Sequence, residues 1–275
     1  MQTDTQAVLS WRIEDIDLSR IDRSCAAINE DLLLLLCAAS FIESGSDLYT
    51  SNLSTFFDGD QEVFGWLNQH WEHEELQHGR ALKAYINYVW PEFDWNLAFE
   101  RFFDEYSKTC SIEGLEKTRA LEMVARCVVE TGTATLYRAI NEFSDELVLR
   151  EITNNICTDE VRHYKYFFRF FKKYNQIEDN SRFTVLGALI RRMKEIKNED
   201  SEIALRHVLS VRYSPKACNS TYMQEKAARV NGLVRTHMSA DMFVKMLLKP
   251  LNLPSKIQRG VHHSLIKITQ HVFFR

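Results

Sequence analysis

The chain has 275 residues, of which 45% are hydrophobic and 26% are charged, and its formal net charge is −4. This composition excludes a disordered chain, because the protein is long and apolar enough to bury a substantial core. Nine Gly and four Pro interrupt it, and strand-like alternation of apolar and polar residues is scarce. We therefore predict an all-α protein built from long helices.

The first residues and the cysteines indicate a cellular compartment. Met1 to Ser10 is polar without the basic segment of a signal peptide, and the most apolar run, Leu32 to Ala39, is too short to span a bilayer. The six Cys show no C-x-x-C spacing, which favours reduced thiols over a disulfide framework. We expect a cytoplasmic protein, and integral membrane insertion is not expected.

In chain order, the spacing of apolar residues predicts four long helices between a short amphipathic lead-in and a helical C-terminal region. The lead-in covers residues 11–23, and the long helices cover 24–57, 61–90, 111–143 and 145–174, with a shorter helix at 95–107. Further helices are predicted at 184–197, 201–211, 222–248 and 255–274. No Gly/Ser linker separates these parts, so we predict one domain over residues 1–275, with a bundle core at about 24–175 and a C-terminal elaboration at about 180–275.

Potential metal ligands repeat along the four long helices. A Glu within an apolar run alternates with a Glu-x-x-His pair, and an i, i+3 pair lies on one helix face, where it can bind one metal ion. A buried carboxylate is costly unless it is paired or bound to metal. The repeated set, in order, is Glu43, Glu75 with His78, Glu130, and Glu160 with His163.

Four carboxylates and two imidazoles suit two iron ions, or iron with manganese, because two divalent cations neutralise four carboxylates. A competing set exists on the second long helix, where His70, Glu74 and His78 are spaced at i, i+4 and i+8. We prefer Glu75, because it repeats the spacing of Glu160 and His163. His70 and His73 are then neighbours of the site or surface residues.

Two of these segments resemble those of a known family. Glu74-Glu75-Leu76-Gln77-His78-Gly79 is similar to the E-E-x-x-H-G segment of soluble acyl-carrier-protein desaturases, and Asp159-Glu160-Val161-Arg162-His163 resembles their D-E-x-R-H segment. The resemblance covers about residues 35–175 and extends to the ferritin-like di-iron carboxylate proteins. It implies a ferritin-like four-helix bundle with a central dinuclear metal site, O2 as cosubstrate, a homodimer, a ferredoxin electron donor and an acyl chain on an acidic carrier protein.

The same resemblance gives roles to three further residues. It implies that Thr133 lies on the oxygen-binding side of the metals and assists proton delivery; the alternative is a hydroxyl bonded to its own i−4 carbonyl. Asp159 and Arg162 would orient the metal ligands, and the alternative for them is a surface ion pair.

The function these features predict is an O2-dependent di-iron or Mn/Fe oxidoreductase that acts on a C–H bond of an apolar or acyl substrate, as a desaturase or hydroxylase does. One alternative is a di-iron N-oxygenase of an amine. Such enzymes often carry a third His one turn before the last Glu-x-x-His pair, where this chain has Ile156. The other alternative is a non-catalytic ferritin-like protein that binds metal or another ligand, although the bundle alone would suffice for storage.

Charge is distributed unevenly along the chain. Residues 1–180 carry 17 Lys and Arg against 32 Asp and Glu, whereas residues 181–275 carry 17 against 6. The basic C-terminal region, for example the cluster Arg191, Arg192 and Lys194, would dock an acidic acyl carrier protein; the alternative is that it packs beside the acidic bundle. No nucleic-acid-binding module is present in the pattern, and no nucleic-acid partner is expected.

Overall fold

The computed structural model describes residues 9–195, 199–213 and 220–272, and within them all regular structure is helical. This confirms the prediction of an all-α protein. In chain order, the α-helices of the described residues are α1 (Arg23–Ala26), α2 (Glu30–Ser44), α3 (Ser46–Phe56), α4 (Gln61–Trp66), α5 (Glu72–Val89), α6 (Trp95–Tyr106), α7 (Arg119–Phe143), α8 (Leu147–Glu178), α9 (Arg182–Glu195), α10 (Glu199–Arg212), α11 (Ser220–His237), α12 (Ala240–Leu248) and α13 (Ser255–Val272).

Side chains cap the helices that carry the candidate ligands. Asn29 Oδ1 accepts a 3.0 Å hydrogen bond from the Leu32 N–H at the start of α2. The Glu146 carboxylate accepts a 2.7 Å hydrogen bond from the Leu149 N–H at the start of α8. Each cap satisfies a backbone donor that has no partner within its own helix, which fixes where the helix begins.

The prediction of one continuous helix over 24–57 is wrong. α1 ends at Ala26, and Asn29 is the N-cap of α2, which begins at Glu30. At Gly45 a second break separates α2 from α3, where the Gly45 N–H donates to the Phe41 carbonyl at 3.1 Å. A Cβ at Gly45 would lie 3.3 Å from the Tyr106 ring, so a small residue lets α6 approach at this break.

Three other predicted helices differ from the structure. A π-helical turn at Leu67–Trp71 interrupts the helix predicted over 61–90, and α7 begins at Arg119 instead of residue 111 because Thr118 provides its N-cap. The helix predicted over 222–248 is divided, because Ser239 caps α12 and accepts a 3.3 Å hydrogen bond from the Met242 N–H. The end of the helix predicted to residue 274 lies outside the described residues.

One compact unit, called unit 1 below, lies within Met1–Gly114 and Asp200–Asn219. In it α5 packs along α2, and α6 contributes aromatic rings to the core around Phe41, whose ring lies 5.3 Å from that of Trp95. α10 is attached to this unit by ion pairs, including a 2.7 Å pair between Arg212 and Glu30. The α2 and α5 ligand candidates therefore share one packed core.

The second compact unit, unit 2, lies within Leu115–Glu199 and Ser220–Arg275. The short connection between α7 and α8 makes them a helical hairpin, and α9 and α12 pack on α7. The Tyr164 hydroxyl of α8 donates a 2.6 Å hydrogen bond to the Met246 carbonyl of α12. That residues 1–275 form a single domain stays a prediction.

The stretch Glu30–Phe56 is long and apolar enough to cross a membrane by length and composition, with a hydropathy of 1.4. However, 72% of its most apolar window is buried within the protein, and the core helix of a globular protein passes the same test. The stretch is also divided at Gly45. Residues Leu32 to Ala39, the run predicted to be too short to span a bilayer, are all buried in the protein.

The described cysteines are free thiols. Cys37 and Cys127 are buried, and burial raises the pKa of both thiols. Cys218 lies outside the described residues. The free thiols at the described positions agree with the prediction of reduced cysteines.

Candidate metal centre

Unit 1 carries a buried triad on α2 and α5. Glu43, Glu75 and His78 each offer a ligand atom, and these atoms lie within 4.8 Å of one another. His78 Nδ1 lies 3.7 Å from Glu43 Oε2, and the His78 side chain is fully buried. The i, i+3 spacing places Glu75 and His78 on one face of α5, and the packing of α5 along α2 brings that face to Glu43.

The close approach of α5 to α2 depends on Gly79, which directly follows His78. A Cβ at Gly79 would lie 2.8 Å from the Ser44 backbone nitrogen, so only glycine fits without a shift of the backbone. The Ser40 hydroxyl donates a 3.1 Å hydrogen bond to the Gly79 carbonyl and accepts one of 3.2 Å from Trp95 Nε1. These contacts fix the helix pair at the level of the triad.

Unit 2 carries a matching triad on α7 and α8. Glu130, Glu160 and His163 offer ligand atoms that lie within 4.8 Å of one another, and all three residues are buried. His163 Nδ1 lies 3.5 Å from Glu130 Oε2. The two triads therefore repeat the same composition and a nearly equal imidazole–carboxylate distance, each within its own helix pair.

Negative charge at the unit 2 triad is disfavoured unless a cation lies beside it. Burial, followed by the adjacent Glu160 carboxylate, raises the pKa of Glu130 well above the ordinary value for Glu. Carboxylate oxygen and imidazole nitrogen bind divalent metals at about 2.0–2.2 Å, so two ligands of one ion lie no more than about 4.4 Å apart. The 3.5 Å distance between His163 and Glu130 and the 3.7 Å distance between His78 and Glu43 meet this limit.

The chemistry of the donors therefore fits a metal ion at each triad. Together the triads supply four carboxylates and two imidazoles, a number and type of ligand that fit a di-metal site. As metal ligands, Glu43, Glu75, His78, Glu130, Glu160 and His163 stay predictions.

Thr133 contacts the unit 2 triad directly. Its hydroxyl donates a 2.6 Å hydrogen bond to Glu160 Oε2, and it also lies 3.3 Å from the carbonyl oxygens of Val129 and Glu130. The carboxylate contact is the shortest of the three. The contact with Glu160 places Thr133 beside a candidate ligand, and its role in proton delivery stays a prediction.

Asp159 and Arg162 form an ion pair next to the same triad. Arg162 Nη2 donates a 2.7 Å hydrogen bond to Asp159 Oδ1. The Asp159 side chain is 1% exposed and the Arg162 side chain 33% exposed, so the pair is not confined to the surface. Because Asp159 immediately precedes Glu160, the pair restrains α8 at the position of a candidate ligand.

Sequence reasoning missed two features of unit 1. The ring of Trp11 stacks against the His78 ring, with centroids 6.3 Å apart and an interplanar angle of 10°, and Gln77 Nε2 donates a 2.8 Å hydrogen bond to the Trp11 carbonyl. The π-helical turn at Leu67–Trp71 directly precedes α5, and such turns are frequent at functional sites. From sequence, residues 11–23 were predicted only as an amphipathic lead-in, which gives no sign that Trp11 contacts His78. No sequence signal marks the π-helical turn.

The competing set of His70, Glu74 and His78 begins in the π-helical turn before α5 and is only partly buried. His70 and His73 are exposed, whereas Glu74 is buried. Within unit 1 the structure brings Glu75, not His70, together with Glu43 and His78. This placement favours the set that we preferred from the repeated spacing.

A family model described as fatty acid desaturase matches residues 12–202, a range that includes both triads and Thr133. No curated protein matches the sequence.

Proposed function

Since the chain belongs to the fatty acid desaturase family, we propose that it is an O2-dependent oxidoreductase that desaturates or hydroxylates an acyl chain, most similar to the soluble acyl-carrier-protein desaturases. The observation that carries this proposal is the pair of buried triads, one in each unit, with the same composition. A desaturase-like oxidoreductase needs a redox metal, and these are the buried groups of the described residues suited to hold it.

We propose that the six triad side chains bind two iron ions, or Mn/Fe, as the ligands of one dinuclear centre in a ferritin-like bundle. The repeated order of the ligands along the sequence supports one shared centre. When bound, the two metal ions supply the electrons and the oxygen chemistry that cleaves an unactivated C–H bond. The protein contributes the orientation of the ligands and the exclusion of water, since the triad residues are almost completely buried.

Within unit 2, Thr133 holds a hydroxyl proton at Glu160 Oε2, at a hydrogen-bond distance of 2.6 Å. This proton lies at the carboxylate of a candidate ligand, where oxygen reduction would consume protons. Arg162 and Asp159 keep α8 in the conformation that presents Glu160 and His163. We propose Thr133 as the proton-handling residue and the Asp159–Arg162 pair as positioning residues.

A homodimer, a ferredoxin donor, an acidic acyl carrier protein and a cytoplasmic location remain proposals. Two residues of the basic cluster proposed for carrier docking form ion pairs within unit 2. Arg191 makes a two-point ion pair with Glu116, at 2.7 and 3.0 Å, and Arg192 contacts Glu195 at 3.3 Å. These two arginines stabilise unit 2 internally, so carrier docking would depend on other basic side chains, such as the exposed Lys194.

The alternatives receive less support. At the position where an N-oxygenase often has a third His, Ile156 is completely buried and offers no ligand atom. The family match also favours an acyl substrate over an amine and over storage. We therefore propose acyl oxidation as the single function.

Metal analysis tests this proposal most directly. The wild-type protein, reconstituted with Fe(II), is expected to hold about two metal ions per chain, and Glu130→Ala and His163→Ala are expected to hold fewer. His70→Ala is the matched control, because His70 is an exposed His in the turn directly before α5 and lies outside the six proposed ligands. Fewer than about one metal per wild-type chain, or equal content in all four proteins, would contradict the metal centre.

A turnover assay then tests the reaction. The reconstituted protein is given a reductant, O2 and acyl substrates carried by acyl carrier protein, and the acyl chains are analysed by mass spectrometry. Loss of two hydrogens or gain of one oxygen is expected. Products only from an amine substrate would contradict acyl oxidation while leaving the metal centre intact.

A further inference from the structure

The last helix of unit 2, α13, carries positive charge without a compensating acid. Residues 255–275 contain four Lys and Arg and neither Asp nor Glu. Spacings of i, i+3, i+7 and i+11 place four basic side chains on one face of α13, and they are called the basic row below: Lys256, Arg259, His263 and Lys267. At a rise of about 1.5 Å per residue, the row extends over about 16 Å.

The basic row faces solvent. All four of its side chains are exposed, and so are Gly260 and Ser264 beside them. The opposite side of α13 packs on α12 and is half-buried at positions 258, 261, 262, 265 and 266. Ile257 lies at the edge of the exposed face and is 53% exposed. The exposed face of α13 is therefore basic, with two small residues along it and one large apolar side chain at its edge.

The neighbouring carboxylate of α12 does not neutralise the basic row. Asp241 lies 2.7 Å from Lys245 Nζ and 3.4 Å from His262 Nε2, and neither of these partners belongs to the row. Within the part of the chain that the structure describes, no side chain of the row forms an ion pair. A row of exposed cations without counter-charges attracts an anionic partner.

We propose that α13 binds the surface of an anionic lipid bilayer, with the basic row at the headgroup phosphates and Ile257 at the boundary of the hydrocarbon. Anionic headgroups form a continuous plane, so they meet cations at every position of a straight row. A Cβ at Gly260 would meet nothing within 4 Å, so the helix face is open to close approach.

The exposed isoleucine favours a bilayer over an acidic protein surface. A bilayer offers hydrocarbon directly beneath its charged headgroups, whereas a cluster of carboxylates offers only charge. Peripheral contact of this kind uses neither triad, and it does not depend on the proposed reaction.

Flotation of the purified protein with lipid vesicles tests the proposal. Vesicles of phosphatidylcholine mixed with phosphatidylserine are expected to bind the protein at least about tenfold more tightly than vesicles of phosphatidylcholine alone, because only the mixture is negatively charged. Raising the salt concentration from about 0.1 M to about 1 M is expected to weaken this binding, since the screening length falls from about 10 Å to about 3 Å.

Neutralising the basic row is expected to weaken binding according to the number of charges removed. Each of Lys256→Gln, Arg259→Gln and Lys267→Gln should lose about fivefold in affinity for the phosphatidylserine vesicles, and the triple variant about 100-fold. Ile257→Asn should lose about fivefold, because it removes the apolar contact. Thermal unfolding of each variant verifies that it is folded.

The matched control is Arg101→Gln/Lys108→Gln/Lys117→Gln, which removes the same charge from three exposed positions outside α13. This variant should bind the vesicles nearly as the wild type does. Hydrogen exchange locates the contact, because exchange is expected to slow within residues 255–267 when phosphatidylserine vesicles are added.

The proposal is overturned if the protein does not bind phosphatidylserine vesicles, if it binds both kinds of vesicle equally, or if the control variant loses as much affinity as the triple variant of the basic row. Protection from exchange only outside α13 would also overturn it. An acidic protein is the other possible partner of the row. Binding to purified acyl carrier protein that the triple variant loses, in the absence of vesicle binding, would assign the row to that partner and overturn the proposal.

Discussion

Thr133 Oγ1 donates a 2.6 Å hydrogen bond to Glu160 Oε2, which joins α7 to α8 at the level of the unit 2 triad. The bond fixes one oxygen of a carboxylate that would otherwise rotate, and it places a proton at that oxygen. A valine has the shape of threonine but cannot make this bond, which makes the contact testable by a single substitution.

Thr133→Val is expected to retain bound metal while lowering the turnover number about 10- to 100-fold, because a hydrogen bond to Glu160, a proposed metal ligand, has been removed. Thr133→Ser keeps the hydroxyl and should restore most of the rate. Turnover number and metal content are measured on the same preparations. Equal rates for the valine and serine variants would show that the hydroxyl is not used.

Gly79→Ala is expected to lower the free energy of unfolding by about 1–3 kcal/mol, because the added Cβ would crowd Ser44 in the packed contact between α5 and α2. The same shift should reduce metal content, since His78 immediately precedes Gly79. Gly65→Ala serves as the control, because a Cβ there meets nothing within 4 Å. Denaturant unfolding gives the free energy of unfolding of both variants. Equal stability of the two variants would contradict the close contact.

The ion pair between Glu122 and Arg126 is expected to be structurally important, because both side chains are buried, at 0% and 3% exposure, with Arg126 Nε 2.8 Å from Glu122 Oε1. Arg126→Met should lower the free energy of unfolding by about 3–5 kcal/mol, since it leaves a buried carboxylate without its main counter-charge. Glu122→Gln combined with Arg126→Met should recover part of that loss.

The control for this pair lies on the same helix. Arg138 and Glu142 have the same i, i+4 spacing and a similar distance of 2.9 Å, but their side chains are 47% and 44% exposed. Arg138→Met should cost less than about 1 kcal/mol, because water already solvates both groups. Chemical denaturation measures all four proteins, and similar losses for the two arginine variants would contradict the effect of burial.

The proposed homodimer has a candidate surface on α9. Phe183, Leu186 and Ile190 are spaced at i, i+3 and i+7, and Phe183 is 86% exposed. Phe183→Asp with Leu186→Asp is expected to convert a dimer to a monomer in light scattering coupled to size-exclusion chromatography. Ile28→Asp is the control, an exposed apolar residue of unit 1. A dimeric double variant would exclude this surface, and a monomeric wild type would exclude the homodimer.

Much of the fold could be predicted from sequence, because apolar periodicity and the scarcity of Gly and Pro favour helix over the whole chain. The errors lie at breaks that depend on single local contacts. Asn29, Thr118 and Ser239 each cap a helix inside a stretch that periodicity treats as continuous. A capping residue is recognised reliably only when the hydrogen bond it accepts is seen.

By itself the sequence determined the helical class and the repeated order of Glu and Glu-x-x-His, because i, i+3 spacing alone places Glu75 with His78 and Glu160 with His163 on their helix faces. Only the tertiary structure decided that Glu43 and Glu130 join those pairs within each unit, since that depends on packing between helices distant in sequence. The close approach at Gly79 and the contacts of Trp11 and Thr133 likewise arise from packing, which has no period in the sequence.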